Sequence, residues 1–176
     1  TLDRSSAASD VYKRQPLAES RLPADIRASL QRLRALPCQI SLQRLDSPWA
    51  HVFIAWARDD ARPFTTLGAA AGADPHEALA HALAELESRV LAWTHGHAPT
   101  IRHPAAVRTP TDHVELYGVR RYYRRADALI QPQAPAVDWR ETTQPPQPGA
   151  LAHRLAAAGL APVSYTHLTL PTSDLV

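Results

Sequence analysis

Four polar residues stand at successive four-residue steps near the middle of the sequence: Glu77, His81, Glu85 and Arg89. Side chains four residues apart lie on one side of an α-helix, so a helix here would align two carboxylates, an imidazole and a guanidinium. Carboxylates are hard oxygen ligands that suit Mg²⁺, so this row has the chemistry to hold a metal ion or nucleotide phosphates. The alternative is a solvent-exposed helix face with favourable acid–base pairs, which periodicity alone favours.

The apolar residues of the same segment recur at alternating spacings of four and three: Leu79, Leu83, Leu86, Val90 and Trp93. This spacing predicts one buried stripe on a helix from about Asp74 to about Thr94. Glu77 and His81 fall opposite the stripe, whereas Glu85 and Arg89 drift toward its flank. We therefore expect Glu85 and Arg89 to be the pair that borders a cleft.

Gly68–Gly72 precedes this helix and contains only small residues. A glycine-containing loop at a helix N-terminus can bind anions, because free amides and the helix dipole both favour negative charge there. The Gly-Lys-Ser/Thr ending of a P-loop is missing from the segment, so the sequence favours close packing of a small-residue turn instead.

Arg120–Arg125 mixes arginines with two tyrosines, the residue types that contact phosphate and stack on bases in single-stranded nucleic-acid binders. The sequence favours a solvated basic face in which a tyrosine ring packs against the core. The formal net charge of +2 does not indicate a nucleic acid or a membrane as a partner.

Histidine and cysteine chemistry has little support in the sequence. The five central histidines, His81, His95, His97, His103 and His113, do not complete a recognisable zinc pattern. The one cysteine, Cys38, has no partner histidine at an informative spacing, and it fits a reducing compartment such as the cytoplasm. No apolar run approaches the roughly 20 residues that a membrane helix needs.

The elements around the long helix alternate between helical and extended patterns. A helix is predicted from Pro23 to Leu36 and strands at Gln39–Leu45, His51–Ala57 and Phe64–Leu67. After the long helix we expect a helical turn over Asp112–Gly118, capped by Thr111 or Asp112, then a proline-rich surface segment and a last helix over Ala150–Ala158. This order predicts an α+β fold in which helices cover an antiparallel or mixed sheet.

Both ends of the sequence match translated sequencing-adapter DNA. Asp10–Gln15 is the codon-by-codon translation of GATGTGTATAAGAGACAG, and Val163–Leu168 is a translation of the reverse complement of that element. The chain also contains no methionine. We therefore expect residues 1–15 and 163–176 to be adapter-derived, disordered tails that share no core with residues 16–162, an incomplete natural domain.

Three segments resemble the YcaO family. From Gly68 to Arg89, a glycine-containing turn, an Asp-Pro start and an Ala-Leu-rich helix with a glutamate are similar to one YcaO segment. Thr109–Tyr117 resembles that family's Thr-Pro-x-Asp-His-x-x-x-Tyr stretch, and Leu151–Val163 is similar to a helix of the peptide-cyclising branch. The resemblance spans roughly residues 39–162.

The resemblance implies a partial YcaO-like domain of the cyclodehydratase branch, which modifies thiazole/oxazole-modified microcins and related ribosomal peptides. In that family a Cys, Ser or Thr side chain adds to a backbone carbonyl, ATP with Mg²⁺ phosphorylates the amide oxygen, and an azoline ring forms. Glu85 falls on the family's helix glutamate. The resemblance therefore makes Glu85 the residue that binds the nucleotide and its metal ion, and it identifies no catalytic residue. The position of Arg89 on the same flank of the helix makes it the second nucleotide-binding residue, which either contacts phosphate or pairs with a neighbouring acid.

The sequence departs from the family pattern in several places. His81 stands where arginine is common, Ser88 stands where glutamine is common, and the family's Ser-x-x-Glu-x-x-Glu-Arg element is not in the sequence. We therefore expect this piece to be inactive by itself. The implied partners are a ribosomal precursor peptide and a leader-binding protein in a bacterial cytoplasm. Two alternatives remain: a non-catalytic peptide-binding scaffold and a nucleic-acid-binding module built on Arg120–Arg125.

Overall fold

The computed structural model describes residues 14–47, 49–96, 98–130, 135–140, 153 and 155–160. The elements of its larger unit are four strands and four α-helices: β1 (Arg14–Pro16), α1 (Ala24–Arg34), β2 (Gln39–Leu45), β3 (His51–Asp59), β4 (Phe64–Gly72), α2 (Pro75–Thr94), α3 (Pro110–Leu116) and α4 (Asp127–Ile130). Short 3-10 turns lie at Glu19–Arg21, Pro104–Ala106 and Tyr123–Ala126. The predicted α+β class is confirmed.

The strands form one sheet in the order β1-β2-β3-β4, and each neighbouring pair is antiparallel. In the centre of the sheet Leu42 lies opposite Ala55, which lies opposite Gly68. Strand β4 forms one edge. Because side chains alternate between the two faces of a strand, this register places Phe53, Ala55 and Gly68 on one face.

Helices α1 and α2 cover that face and form the core. Helix α1 buries Ile26, Leu30 and Leu33, as the spacing of its apolar residues predicts. Helix α2 buries Leu79, Leu83, Leu86 and Val90, so four of the five predicted stripe residues are confirmed. The fifth, Trp93, is half-buried and stacks on Phe64 with ring centroids 5.3 Å apart.

Helix α2 begins where the sequence predicts it. The Asp74 carboxylate accepts a hydrogen bond of 2.9 Å from the Glu77 amide, and Pro75 occupies the first turn, where its missing N–H is not needed. The helix ends at Thr94, and Gly96 follows with a φ of 90°, a conformation that glycine adopts without a steric cost.

The prediction of a loop at Gly68–Gly72 was wrong, because these residues continue strand β4. They pair with Ala55 back to His51 of β3. The small residues serve a packing role: a Cβ atom added at Gly68 would collide with the backbone of α2 at Ala82 and Leu86. Helix α2 therefore approaches the strand so closely that only glycine fits, and the amides of this segment belong to the sheet rather than to an anion-binding loop.

The opposite face of the sheet is partly covered by the chain that follows α3. Gln43 is buried and donates from Nε2 to the carbonyl of Ile130 at 2.6 Å. Trp56 donates from its indole N–H to the Gln43 side chain at 3.3 Å. Thr65 donates from its hydroxyl to the carbonyl of Tyr123 at 2.8 Å. These bonds anchor residues 117–130 over the sheet.

Two residues assigned to the first tail lie in the sheet. Arg14 pairs with Leu45 and Gln15 pairs with Arg44, and the Arg44 guanidinium donates to the Gln15 side chain at 2.7 Å. Tyr12 and Tyr165 lie outside the described residues. The assignment of both tails stays a prediction.

The smaller unit comprises residues 146–176, of which the structure describes 153 and 155–160. Residues 155–157 are helical, and Gly159 follows with a φ of 71°. The amide of Leu160 bonds to the carbonyl of Leu155 at 2.8 Å, which closes the helix end. The helix and its glycine stop are as predicted within these residues.

Within the described residues, no helix is both long enough and apolar enough to cross a membrane.

The close contact at Gly68 gives a matched pair of glycine substitutions. We expect Gly68→Ala to lower the free energy of unfolding by about 1–3 kcal/mol or more, because the added methyl group meets helix backbone that cannot move locally. Gly72→Ala is the control: its Cβ would lie 3.5 Å from Ala78 Cβ, an ordinary contact, so we expect a change below about 1 kcal/mol. Urea denaturation measures both. Equal effects would contradict the packing role.

The buried stripe of α2 gives a second prediction. Leu83 is 2% exposed, so Leu83→Ala should lower the free energy of unfolding by about 2–5 kcal/mol through lost burial and the cavity left behind. Leu91 lies on the same helix and is 40% exposed, so Leu91→Ala should cost less than about 0.5 kcal/mol. Comparable losses in the two variants would show that the stripe is not the core face.

Candidate functional site

The two predicted site residues, Glu85 and Arg89, meet on the flank of α2 that faces the edge of the sheet. The Arg89 guanidinium donates from Nη2 to Glu85 Oε1 at 2.6 Å, which is the acid-to-base pair expected one turn apart. The other carboxylate oxygen, Oε2, accepts a hydrogen bond of 2.8 Å from the backbone N–H of Ala69. Glu85 therefore connects the helix to strand β4.

The bond to Ala69 uses a group that an edge strand leaves open. In an antiparallel sheet, every second residue of an edge strand directs its N–H and C=O away from its neighbour. Ala69 is such a residue, and so is Thr65, whose N–H bonds to the carbonyl of Tyr117 at 3.0 Å. The edge of β4 is thus covered at Thr65 by the end of α3 and at Ala69 by the Glu85 carboxylate.

Glu85 is held in its charged form. Partial burial raises the pKa of the Glu85 carboxyl, but the Ala69 N–H and the Arg89 guanidinium outweigh it and leave the pKa below its ordinary value. The side chains of Glu85 and Arg89 are 38% and 33% exposed, so solvent reaches both. The pair is a charged, accessible group beside the sheet edge.

The remaining members of the predicted row do not join this pair. Glu77 and His81 are exposed, as predicted from their position opposite the apolar stripe. Ser88, the position at which the sequence departs from the family pattern, donates from its hydroxyl to the carbonyl of Glu85 at 2.8 Å. Of the four residues in the predicted row, Glu85 and Arg89 are the two that the structure places beside the sheet edge.

A pocket of about 390 Å³ lies next to Arg89, between the edge of β4 and helix α3. Its lining is mostly apolar and aromatic, and it comes from β3, β4, α2, α3 and the segment after α3: Trp56, Thr65, Thr66, Leu67, Arg89, Pro110, His113, Val114, Tyr117 and Ala126. No pattern in the sequence predicted this pocket. The Thr109–Tyr117 stretch could have indicated it, because its His113 and Tyr117 line the pocket together with Arg89.

The Thr109–Tyr117 stretch also builds the start of α3. The Thr109 hydroxyl accepts from the Asp112 amide at 3.2 Å, and the Asp112 carboxylate accepts from the Thr109 amide at 2.8 Å, which completes a capping box. The predicted caps, Thr111 and Asp112, were therefore wrong, since the helix begins two residues earlier. Hydrogen bonds from the amides of Arg108 and Thr109 hold the pKa of Asp112 below its ordinary value.

The tyrosines of Arg120–Arg125 are buried rather than open. Tyr122 and Tyr123 are 3% and 5% exposed, and the Tyr123 hydroxyl donates to Asp60 at 3.0 Å. The guanidinium of Arg125 lies 4.7 Å from the Tyr122 ring centre, and that of Arg124 lies 5.6 Å from the Tyr123 ring centre. The rings are thus covered by protein, which leaves the arginines as the accessible part of the segment.

A Mg²⁺ ion bound with a nucleotide takes one or two protein carboxylates, and phosphates and water supply its other ligands. Glu85 fits this role in part, since each of its bonded oxygens keeps a lone pair and the side chain is accessible. The described residues contain no group of three or more His, Cys, Asp or Glu side chains that would enclose a metal ion. Within the described residues, Glu85 could therefore supply one ligand to such an ion, and no complete site is formed.

The fold and site define an α+β domain with a charged carboxylate beside the open edge of an antiparallel sheet. Over residues 1–176 the chain matches the family model described as YcaO cyclodehydratase, ATP- and Mg²⁺-binding. The chain belongs to the YcaO family. No curated protein matches it.

The solved structures that are similar in fold include YcaO from Methanopyrus kandleri bound with AMPPCP and Mg²⁺. The match has a TM-score of 0.58 and 16% sequence identity. It covers 85% of this chain and 39% of that chain, so the sequence spans well under half the length of that relative.

The charge of Glu85 gives a prediction about pH. Because the folded-state pKa is lowered, the ionised group stabilises the fold above its unfolded pKa of about 4.3, and this contribution is lost as the pH falls through the folded value. A double-mutant cycle with Glu85→Gln and Arg89→Gln should give a favourable coupling energy below about 1 kcal/mol at pH 7, since both groups are partly exposed. At pH 3 the coupling energy should be smaller. A coupling energy that is unchanged by pH would contradict the ion pair.

Proposed function

We propose that this chain is part of an ATP- and Mg²⁺-dependent YcaO enzyme that forms azoline heterocycles in a ribosomal peptide. Membership of the YcaO family and the fold shared with a nucleotide-bound relative support the proposal. The observation that supports it most directly is the environment of the Glu85 carboxylate. The carboxylate on the family's helix glutamate position is ionised, accessible and fixed by two hydrogen bonds at the sheet edge.

Glu85 and Arg89 have different roles in this proposal. Glu85 contributes a carboxylate oxygen to Mg²⁺, because its lone pairs are not exhausted by Ala69 and Arg89. Arg89 donates to Glu85 at 2.6 Å, so it orients the carboxylate and balances its charge. When bound, Mg²⁺-ATP supplies the phosphoryl group that turns the amide oxygen into a leaving group.

Glu85 and Arg89 provide only a share of the machinery. A nucleotide triphosphate carries more negative charge than one metal ligand and one paired arginine neutralise, so further contacts must come from other parts of the protein. This agrees with the 39% of the Methanopyrus kandleri chain that the match covers. The proposed partners remain a ribosomal precursor peptide and a leader-binding protein, and the proposed location is the cytoplasm.

A second candidate function is a non-catalytic YcaO scaffold that binds the precursor peptide. The exposed His81 and the hydrogen bond of Ser88 to its own helix favour it, since neither side chain contacts the Glu85 carboxylate. Both candidates use the same fold. They differ in whether the Glu85 charge matters for turnover of ATP.

The two candidate functions can be distinguished by measuring peptide-dependent release of phosphate. The measurement uses the full-length protein that contains this sequence. Glu85→Gln keeps the size of the side chain and removes the charge, so we expect the rate to fall on the order of 100-fold, the effect of losing one charge-stabilising group. Glu77→Gln on the exposed side of α2 is the matched control and should leave the rate unchanged. An equal rate for folded Glu85→Gln, or no phosphate release by the unaltered protein, would support the scaffold instead.

A further inference from the structure

Within the described residues, the edge of β4 has one open position between two covered positions. The N–H of Thr65 bonds to Tyr117 and the N–H of Ala69 bonds to Glu85, so both groups point away from β3. Leu67 lies midway between them, and strand alternation directs its N–H and C=O to the same side. An extended chain that met this edge would find a backbone donor and acceptor at Leu67.

The pocket lies beside this open position. Leu67 forms part of its wall, with Trp56, Val114 and Tyr117 as large apolar or aromatic neighbours. Thr66 also lines the pocket, and its hydroxyl is buried with no hydrogen-bond partner in the part of the chain that the structure describes. A volume of about 390 Å³ is near the lower end for ligand pockets, so it suits one large side chain with its backbone.

The charge of the lining distinguishes between occupants. Among the described lining residues Arg89 is the one arginine, and its guanidinium is already paired with Glu85 at 2.6 Å. A triphosphate placed inside this pocket would meet little uncompensated positive charge from the described lining residues. A neutral, apolar or aromatic group carries no negative charge that the lining would have to compensate.

We infer that the substrate peptide adds as a strand to the edge of β4 at Leu67 and inserts a large apolar or aromatic side chain into the pocket between β4 and α3. This inference rests on the proposed function, because it takes a peptide as the substrate. The backbone groups of Leu67 bind the peptide main chain, and Trp56, Val114 and Tyr117 select the side chain. The strand then runs past Arg89 toward Ala69, which brings the peptide backbone to the Glu85 carboxylate.

Two blocked pentapeptides test the pocket on the 176-residue chain: acetyl-Val-Thr-Phe-Thr-Val-amide and the same peptide with alanine in place of phenylalanine. Titration into ¹⁵N-labelled protein should shift the amide signals of Leu67 and Val114 with the phenylalanine peptide and give at least tenfold weaker binding with the alanine peptide. Two isomers of the phenylalanine peptide, N-methylated at adjacent residues, test strand addition. One isomer should lose binding and the other should retain it, because alternate N–H groups face the edge.

Val114→Phe should fill the pocket and weaken the binding of the phenylalanine peptide at least tenfold. Leu91→Phe adds the same ring at an exposed position of α2 outside the pocket and should have no effect. Shifts at Leu67 and Val114 caused by Mg²⁺-ATP instead of the peptide would overturn the inference. The absence of any peptide-induced shift would overturn it as well, and so would equal loss of binding with both N-methylated isomers.

Kinetics of the full-length protein distinguish this inference from the proposed function. Val114→Phe should raise the KM for the peptide at least tenfold and leave the KM for ATP unchanged. If phosphate release depends on Glu85 but the KM for the peptide is the same in Val114→Phe, the pocket inference fails and the proposed function stands. If phosphate release does not depend on Glu85 while the pentapeptide still binds at Leu67, the enzyme proposal fails and the binding surface stands.

Discussion

The contact between helix α2 and strand β4 at Gly68 determines the position of everything that follows along the helix. With no side chain at Gly68, the backbone of α2 at Ala82 and Leu86 lies directly on the strand. Glu85 is on the same turn, with its Cβ 3.1 Å from the position a Gly68 Cβ would take. The carboxylate is therefore within reach of the next edge amide, that of Ala69. A larger residue at 68 would lift the helix and separate the two groups.

The later turns of α2 extend this arrangement along the edge. Arg89 is one turn further and lines the pocket while it balances the charge of Glu85. Trp93 is one turn beyond that, where it stacks on Phe64 and fills the space that a side chain at Gly118 would need. One helix thus aligns a metal-ligand candidate, a pocket wall and the packing partner of the loop after α3. A change in the helix position would alter all three together.

The sequence predicted the elements whose signals are local. The apolar spacing of Leu79 to Val90 and the Asp74-Pro75 start are properties of one segment, and α2 follows them closely. Strand β4 was predicted too short because a run of alanine and glycine has low intrinsic preference for a strand. Its pairing with β3 supplies the hydrogen bonds that the composition does not indicate. The cap of α3 was missed because Thr111 stands directly before Asp112, whereas the capping box uses Thr109, three residues before Asp112.

The pocket and the role of Arg89 depend on distant parts of the chain, so no local pattern reveals them. Arg89 and Val114 are far apart in sequence, and they line the same pocket because the edge of β4 meets both α2 and the end of α3. The helical spacing of Glu85 and Arg89 indicated that both lie on the flank of the apolar stripe. It did not indicate which part of the protein packs beside that flank. The structure shows that this flank meets an edge strand, and an edge strand is a surface that binds extended chains. A charged carboxylate and, within the described residues, an open backbone position thus lie on the same edge, which is where we propose that the metal ion and the peptide bind.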